Sequence, residues 1–213
     1  MRILVPTLLA AGLAASAAPA VHAQDNSLMV GVTRYTTDSK SNGISGVGVP
    51  PGADAETGDA TTLLLVYERA LTPRLSGQLV LGIPPRIEAR ATGSVAFLGD
   101  GVLSARNVSP TLIAKYYLAD PSARWRPYLG AGINYTRFVD IRSTLADDVK
   151  MKDSTGWVLE AGVAYAIDPR WGLFGSVARL DVQSEVVAVG ATVLTTKIDF
   201  RPVTYSFGAY YRF

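Results

Sequence analysis

Residues 110–138, PTLIAKYYLADPSARWRPYLGAGINYTRF, read as two long strands joined by one tight turn. In the first arm Leu112, Ala114, Tyr116 and Leu118 fall on one side, and Thr111, Ile113, Lys115 and Tyr117 on the other, as the two-residue period of a strand requires. The second arm places Leu129, Ala131, Ile133 and Tyr135 on one face. Tyr128, Gly130, Gly132, Asn134 and Thr136 take the opposite face, which is small and polar. Asp120, Pro121 and Ser122 are turn formers between the arms. Strands of soluble proteins usually run about five or six residues, and these arms are about twice that. Length near ten, one apolar face and aromatics toward the ends are what a strand crossing a bilayer in a closed barrel needs.

The same pattern extends outward from this hairpin. Strands are expected at about 28–36, 60–70, 74–83, 157–167, from 171 onward and at 203–213. Leu-Thr-Pro-Arg at 71–74 and Asp168-Pro169-Arg170 make further short turns. Stretches 38–59, 86–107, 140–153 and 182–197 read as four long loops. Long and short connections alternate along eight strands, so an even-stranded antiparallel barrel with both termini on the side of the short turns is expected. A secreted soluble sandwich also alternates, but it need not segregate loop lengths in this way. Tyr116, Trp125, Trp171, Tyr211 and Phe213 fall near the periplasmic strand ends, and Tyr135 and Trp157 toward the outer ends, where interfacial aromatics belong.

The chain of 213 residues opens with MRILVPTLLAAGLAASAAPAVHAQ, which reads as a secretory signal over 1–23 with a barrel domain over 24–213. Arg2 supplies its positive start and Val21-His22-Ala23 its small-residue cleavage site. A transmembrane helix is the competing reading, but the apolar run is short and is broken by Pro6, Gly12 and Pro19. Of the 20 basic residues Arg2 falls in the leader, against 18 acidic residues overall, so the remaining chain is close to neutral and no basic run suggests nucleic acid. The chain holds no Cys, which excludes a disulfide framework and a lipid anchor on cysteine. A hydrophobic fraction of 48% without a long apolar run after the leader is how alternating barrel strands distribute their apolar residues.

The hairpin core SPTLIAKYYLADPSARWRPYLGAGINYTRFVD closely resembles the outer-membrane protein W family (OmpW/AlkL-like). The resemblance extends through PRIEARATG at 85–93, KMKDSTGW at 150–157 and the C-terminal IDFRPVTYSFGAYYRF, and is weakest over 38–59 and 182–197. It implies an eight-stranded barrel in the outer membrane of a Gram-negative bacterium. Its narrow, largely apolar lumen would pass small hydrophobic molecules inward, with lateral exit into the membrane. It also implies no cofactor. The expected partners are such solutes, outer-membrane lipids and lipopolysaccharide, and the barrel-insertion machinery during assembly.

Catalysis lacks its parts on this reading. The only histidine, His22, lies in the leader, and without Cys no Ser/His or Cys/His nucleophile pair can be assembled. Asp147 and Asp148 are adjacent loop residues with no metal-ligand spacing behind them. No catalytic or metal-binding residue is therefore expected. Lys115 and Glu160 occur mid-strand on the face opposite the apolar one, where only a lumen position is affordable. They are expected to pair, and with Gln78 and Asn134 to plug the periplasmic half. An apolar lumen surface is expected from Leu63 and Leu65, or from Leu64 on the other face of the same strand, with Ile113, Phe174 and Leu180. A narrow ion channel and a sealed structural or host-contact barrel acting through its loops are the rival readings.

Overall fold

The computed structural model of the chain describes residues 25–36, 40, 41, 43–46, 48–144, 148–189 and 193–213. The expected leader, 1–23, lies outside the described residues, as does Asp147. Sixteen strands are described: β1 (Asn26–Thr36), β2 (Lys40–Ser41), β3 (Ser45–Gly46), β4 (Ala53–Thr57), β5 (Ala60–Ala70), β6 (Leu75–Gly82), β7 (Arg86–Gly93) and β8 (Leu103–Val108). They continue with β9 (Thr111–Tyr117), β10 (Trp125–Ser143), β11 (Asp148–Met151), β12 (Ser154–Ala166), β13 (Trp171–Leu180), β14 (Gln183–Val189), β15 (Val193–Asp199) and β16 (Val203–Arg212).

Eight of these close on themselves in the order β12-β13-β16-β1-β5-β6-β9-β10, with β10 pairing back to β12, and every pair is antiparallel. Closure removes the sheet edges that a bilayer could not hydrate. The two-residue period then fixes which side each residue faces. Leu28, Val30, Leu112, Leu129, Ile133, Leu159 and Phe207 are all exposed on the outside. An apolar surface of this extent is a surface for lipid. Trp125 packs on Tyr165 with ring centroids 4.6 Å apart, and Trp171 on Tyr211 at 4.8 Å, with Phe213 stacked beyond it. Tyr116 and Trp157 are likewise exposed toward the ends of β9 and β12, and Tyr135 is exposed mid-way along β10, beside the outer limit of its pairing with β12.

The four connections expected to be loops carry strands of their own. β10 runs for 19 residues, about 60 Å at the rise of a strand, and so projects past a bilayer. Its outer end pairs with β8, which pairs with β7 and then β4. A second sheet has the order β11-β14-β15-β2, with β3 beside β15. Their Gly, Ser and charged content conceals them in the sequence, because a strand clear of the lipid needs no continuous apolar face.

Candidate functional site

The lumen divides into two halves of different chemistry. In the periplasmic half Lys115, at the middle of β9, has no solvent-accessible surface. Its Nζ donates to Glu68 Oε2 at 2.7 Å, and Tyr117 and Ser76 donate to Glu68 Oε1 at 2.7 and 2.9 Å. The ammonium also sits 3.7 Å from the centroid of the Tyr128 ring, and the Arg126 guanidinium 4.0 Å from that of Tyr117. Arg126 Nη2 in turn donates to Pro73 O at 3.0 Å, tying this cluster to the short β5–β6 turn. Such charges are retained in a dry interior only when paired and hydrogen-bonded. Glycine makes the space. A Cβ on Gly130 would lie 2.8 Å from Ile113 Cγ2, and one on Gly162 would lie 2.5 Å from the Tyr128 ring.

Two expectations fail here. Lys115 is bonded to Glu68 and not to Glu160, although Glu160 is within electrostatic reach of it. Glu160 Oε1 accepts instead from the Tyr128 hydroxyl at 3.3 Å. Asn134 lies outside the plug as well, because it sits four positions further outward along β10 than Gly130, the residue paired with Lys115. There its amide donates to Thr111 at 2.6 Å and accepts from Thr136 at 2.7 Å, and Thr136 meets Ser109 at 2.9 Å. Gln78, buried too, faces the space above the plug.

Above the plug is a cavity of about 70 Å³, lined on its apolar side by Leu64, Val66, Ile113, Val158, Phe174 and Leu180. Leu63 and Leu65 point the other way. They are 52% and 42% exposed on the outer surface, against 6% for Leu64 and 1% for Val66. Their strand is apolar on both faces, so the phase is set by Glu68, which must lie inside and carries Val66 and Leu64 in with it. Outward from the cavity the apolar lining continues through Val182, Val186 and Phe200, with Leu103, Phe138 and Met151 against them. Phe138 and Phe200 stack with centroids 5.8 Å apart, bridging the two extracellular sheets.

The wall beside the cavity is interrupted. β6 pairs with β9 as far as Val80 opposite Thr111, and pairing resumes only where Arg86 of β7 faces Arg106 of β8. Among the described residues, 81–85 and 107–110 are unpaired with each other across this seam. Pro84, Pro85 and Pro110 lack the amide proton a ladder needs, which accounts for the lapse. Leu81, Gly82 and Ser109 at the break also line the cavity. Outside it Leu81, Ile83, Val108 and Leu112 are exposed. Asp140, at positive φ beside a bulge in β10, gathers Arg86, Arg106 and Arg142 at the outer margin of the break.

A closed eight-stranded barrel with a lipid-facing apolar surface, extended extracellular strands and a charged interior plug is an outer-membrane β-barrel of a Gram-negative bacterium. The model of the OmpW family matches residues 25–213, and the chain belongs to that family. It is similar to the outer membrane protein W of Escherichia coli, 32% identical over 162 residues that cover 72% of this chain and 73% of that one. It is also similar to the outer membrane protein AlkL of Ectopseudomonas oleovorans, 26% identical over 169 residues covering 79% and 73%. The crystal structure of OprG from Pseudomonas aeruginosa superposes with a TM-score of 0.81 at 24% identity over 90% of this chain and 96% of that one, a likeness of fold.

Proposed function

We propose that this barrel is a passive, non-catalytic conduit that takes small hydrophobic molecules from the cell surface and releases them sideways into the outer membrane. The observation that carries this reading is a shared lining: the cavity is bounded both by lumen residues such as Leu64 and Phe174 and by Leu81, Gly82 and Ser109 at the unpaired seam. A solute desolvated among Phe138, Phe200 and Leu180 meets the buried Glu68–Lys115 plug below it and an unladdered wall beside it. The apolar exterior of the seam, Leu81, Ile83, Val108 and Leu112, offers lipid as the sink. Direction then follows the concentration gradient and needs no energy coupling. The packed plug favours this reading over a narrow ion channel, and a cavity lined in part by seam residues favours it over a sealed barrel. The test is uptake of a labelled alkane by vesicles holding the protein or Phe174→Asp, with single-channel current recorded in parallel. Loss of alkane uptake without a gain of cation current supports the conduit, and unchanged uptake in folded Phe174→Asp overturns it.

A further inference from the structure

The cavity lining carries two hydrogen-bond acceptors without a partner among the described residues. Glu160 is 8% exposed and Gln78 6%, both line the cavity, and neither Glu160 Oε2 nor Gln78 Oε1 has a hydrogen-bond partner among the described residues. Ser176 lies beside the same carboxylate, yet Oε2 keeps no donor. Leaving a buried acceptor unpaired is costly, and native interiors rarely do so without a reason. The two residues come from opposite sides of the β9–β10 pair. Gln78 is in register with Ile113, and Ile113 with Gly132. Glu160 is in register with Gly130, one step along the same face. Neither glycine places a side chain between them, and on β9 the inward side chains of Ile113 and Lys115 fill that space. The rest of the lining mixes apolar side chains, Leu64, Val66, Ile113, Val158, Phe174 and Leu180, with hydroxyl-bearing ones such as Thr33, Thr111, Ser176 and Ser206.

We infer that the cavity is a binding site for a neutral amphiphile, an apolar body ending in a hydroxyl whose single proton is donated to Glu160 Oε2 or to Gln78 Oε1. The inference rests on the conduit reading for the route by which such a molecule arrives and names the solute class more narrowly. Charge decides between an alcohol and an ammonium. Lys115 and Arg126 already stand against Glu68 and Glu160, so an added cation would meet two fixed positive charges in a dry site. Size agrees as well. A cavity of about 70 Å³ exceeds the roughly 10–15 Å³ that one water needs, and it continues into the apolar column above. An alkane would fill the walls and leave both oxygens bare, and so would an ether of the same length, which accepts but cannot donate.

The test compares octan-1-ol with 1-methoxyheptane on the protein in phosphatidylcholine nanodiscs, read by amide chemical shifts of β12 and β13, with partition into protein-free discs subtracted. The alcohol is expected to bind saturably and about tenfold more tightly than the ether, the ratio that one unmade buried hydrogen bond implies. In a folded Gln78→Leu/Glu160→Leu double variant the ratio should fall to within about twofold. Equal affinity of the two probes in the unaltered protein overturns the inference and requires no variant. So do the absence of saturable shifts with either probe, which means water fills the site, and persistence of the ratio in the double variant. Alkane uptake that survives any of these results leaves the conduit standing, whereas loss of the conduit itself appears as absent uptake of alkane and alcohol alike.

Discussion

Lys115 Nζ lies 2.7 Å from Glu68 Oε2, and the pair joins the middle of β9 to the last turn-proximal stretch of β5, the two strands that flank β6. Breaking such a pair leaves one buried charge uncompensated. Glu68→Gln should therefore destabilise the barrel by about 3–5 kcal/mol, while Glu68→Met with Lys115→Met recovers most of that. Glu160→Gln, which disturbs only the 3.3 Å contact from Tyr128, should cost clearly less than Glu68→Gln. Urea midpoints in micelles for the four proteins rank them. An equal loss from the two glutamate variants would return Glu160 to the pairing role.

Tyr128 packs its ring onto Gly162, and Tyr210 packs onto Gly172, where an added Cβ would lie 2.2 Å from the ring. Gly162→Ala and Gly172→Ala should each destabilise by about 1–3 kcal/mol through overpacking, with Gly162→Ala also loosening the Lys115 contact of Tyr128. Unfolding midpoints beside the aromatic side-chain spectrum of Tyr128 measure both effects.

Asp168 serves the periplasmic β12–β13 turn. Its Oδ1 accepts from the backbone N–H of Trp171 and of Arg170, each at 2.7 Å, and these bonds hold its carboxyl below the ordinary carboxylate value. A depressed folded value means the stabilisation is complete above the unfolded pKa of about 4 and is lost as pH falls through the folded one. The midpoint gap between the protein and Asp168→Ala should be constant from neutral pH down to about pH 4 and close below it. A gap that does not change with pH would assign the turn to backbone conformation alone.

Neighbouring leucines of β5 should fail in different assays. Leu64→Asp places a carboxylate in the cavity and should cut hydrocarbon uptake about tenfold or more with the barrel inserted. Leu65→Asp faces lipid, where a charge costs up to a few kcal/mol, so it should lower the amount of heat-modifiable protein in the membrane and leave uptake per folded barrel unchanged. The reverse assignment of defects would mean that β5 is one residue out of phase.

The barrel itself is legible in the sequence because lipid on one side and a packed lumen on the other impose strict alternation, as in Leu129, Ala131, Ile133 and Tyr135 against Tyr128, Gly130, Gly132 and Asn134. The phase of β5 is harder to read. TTLLLVYERA is apolar at both parities, and only the requirement that Glu68 avoid lipid selects Leu64 and Val66 over Leu63 and Leu65. That same residue hides as Lys115's partner, since a glutamate three positions from a turn looks like strand-end charge. Registers across non-adjacent strands, which bring Glu68 to Lys115 and separate Asn134 from both, are set by the shear of the closed barrel and have no local signature. The wall break is marked only by Pro84, Pro85 and Pro110, and prolines near strand ends ordinarily signal loops. The extracellular sheets escape notice for the same reason that they tolerate Gly and Asp, because no bilayer enforces their pattern.

Lateral release requires that solute leave through the seam between β6 and β9. Continuing the register beyond Val80 and Thr111 sets Gly82 opposite Ser109, and the chain has no cysteine to compete with a new pair. Gly82→Cys with Ser109→Cys, reconstituted in vesicles and confirmed as cross-linked by mass, should show alkane uptake reduced to that of protein-free vesicles when oxidised and restored by reduction. Uptake at the unaltered rate through a fully cross-linked barrel would contradict lateral release.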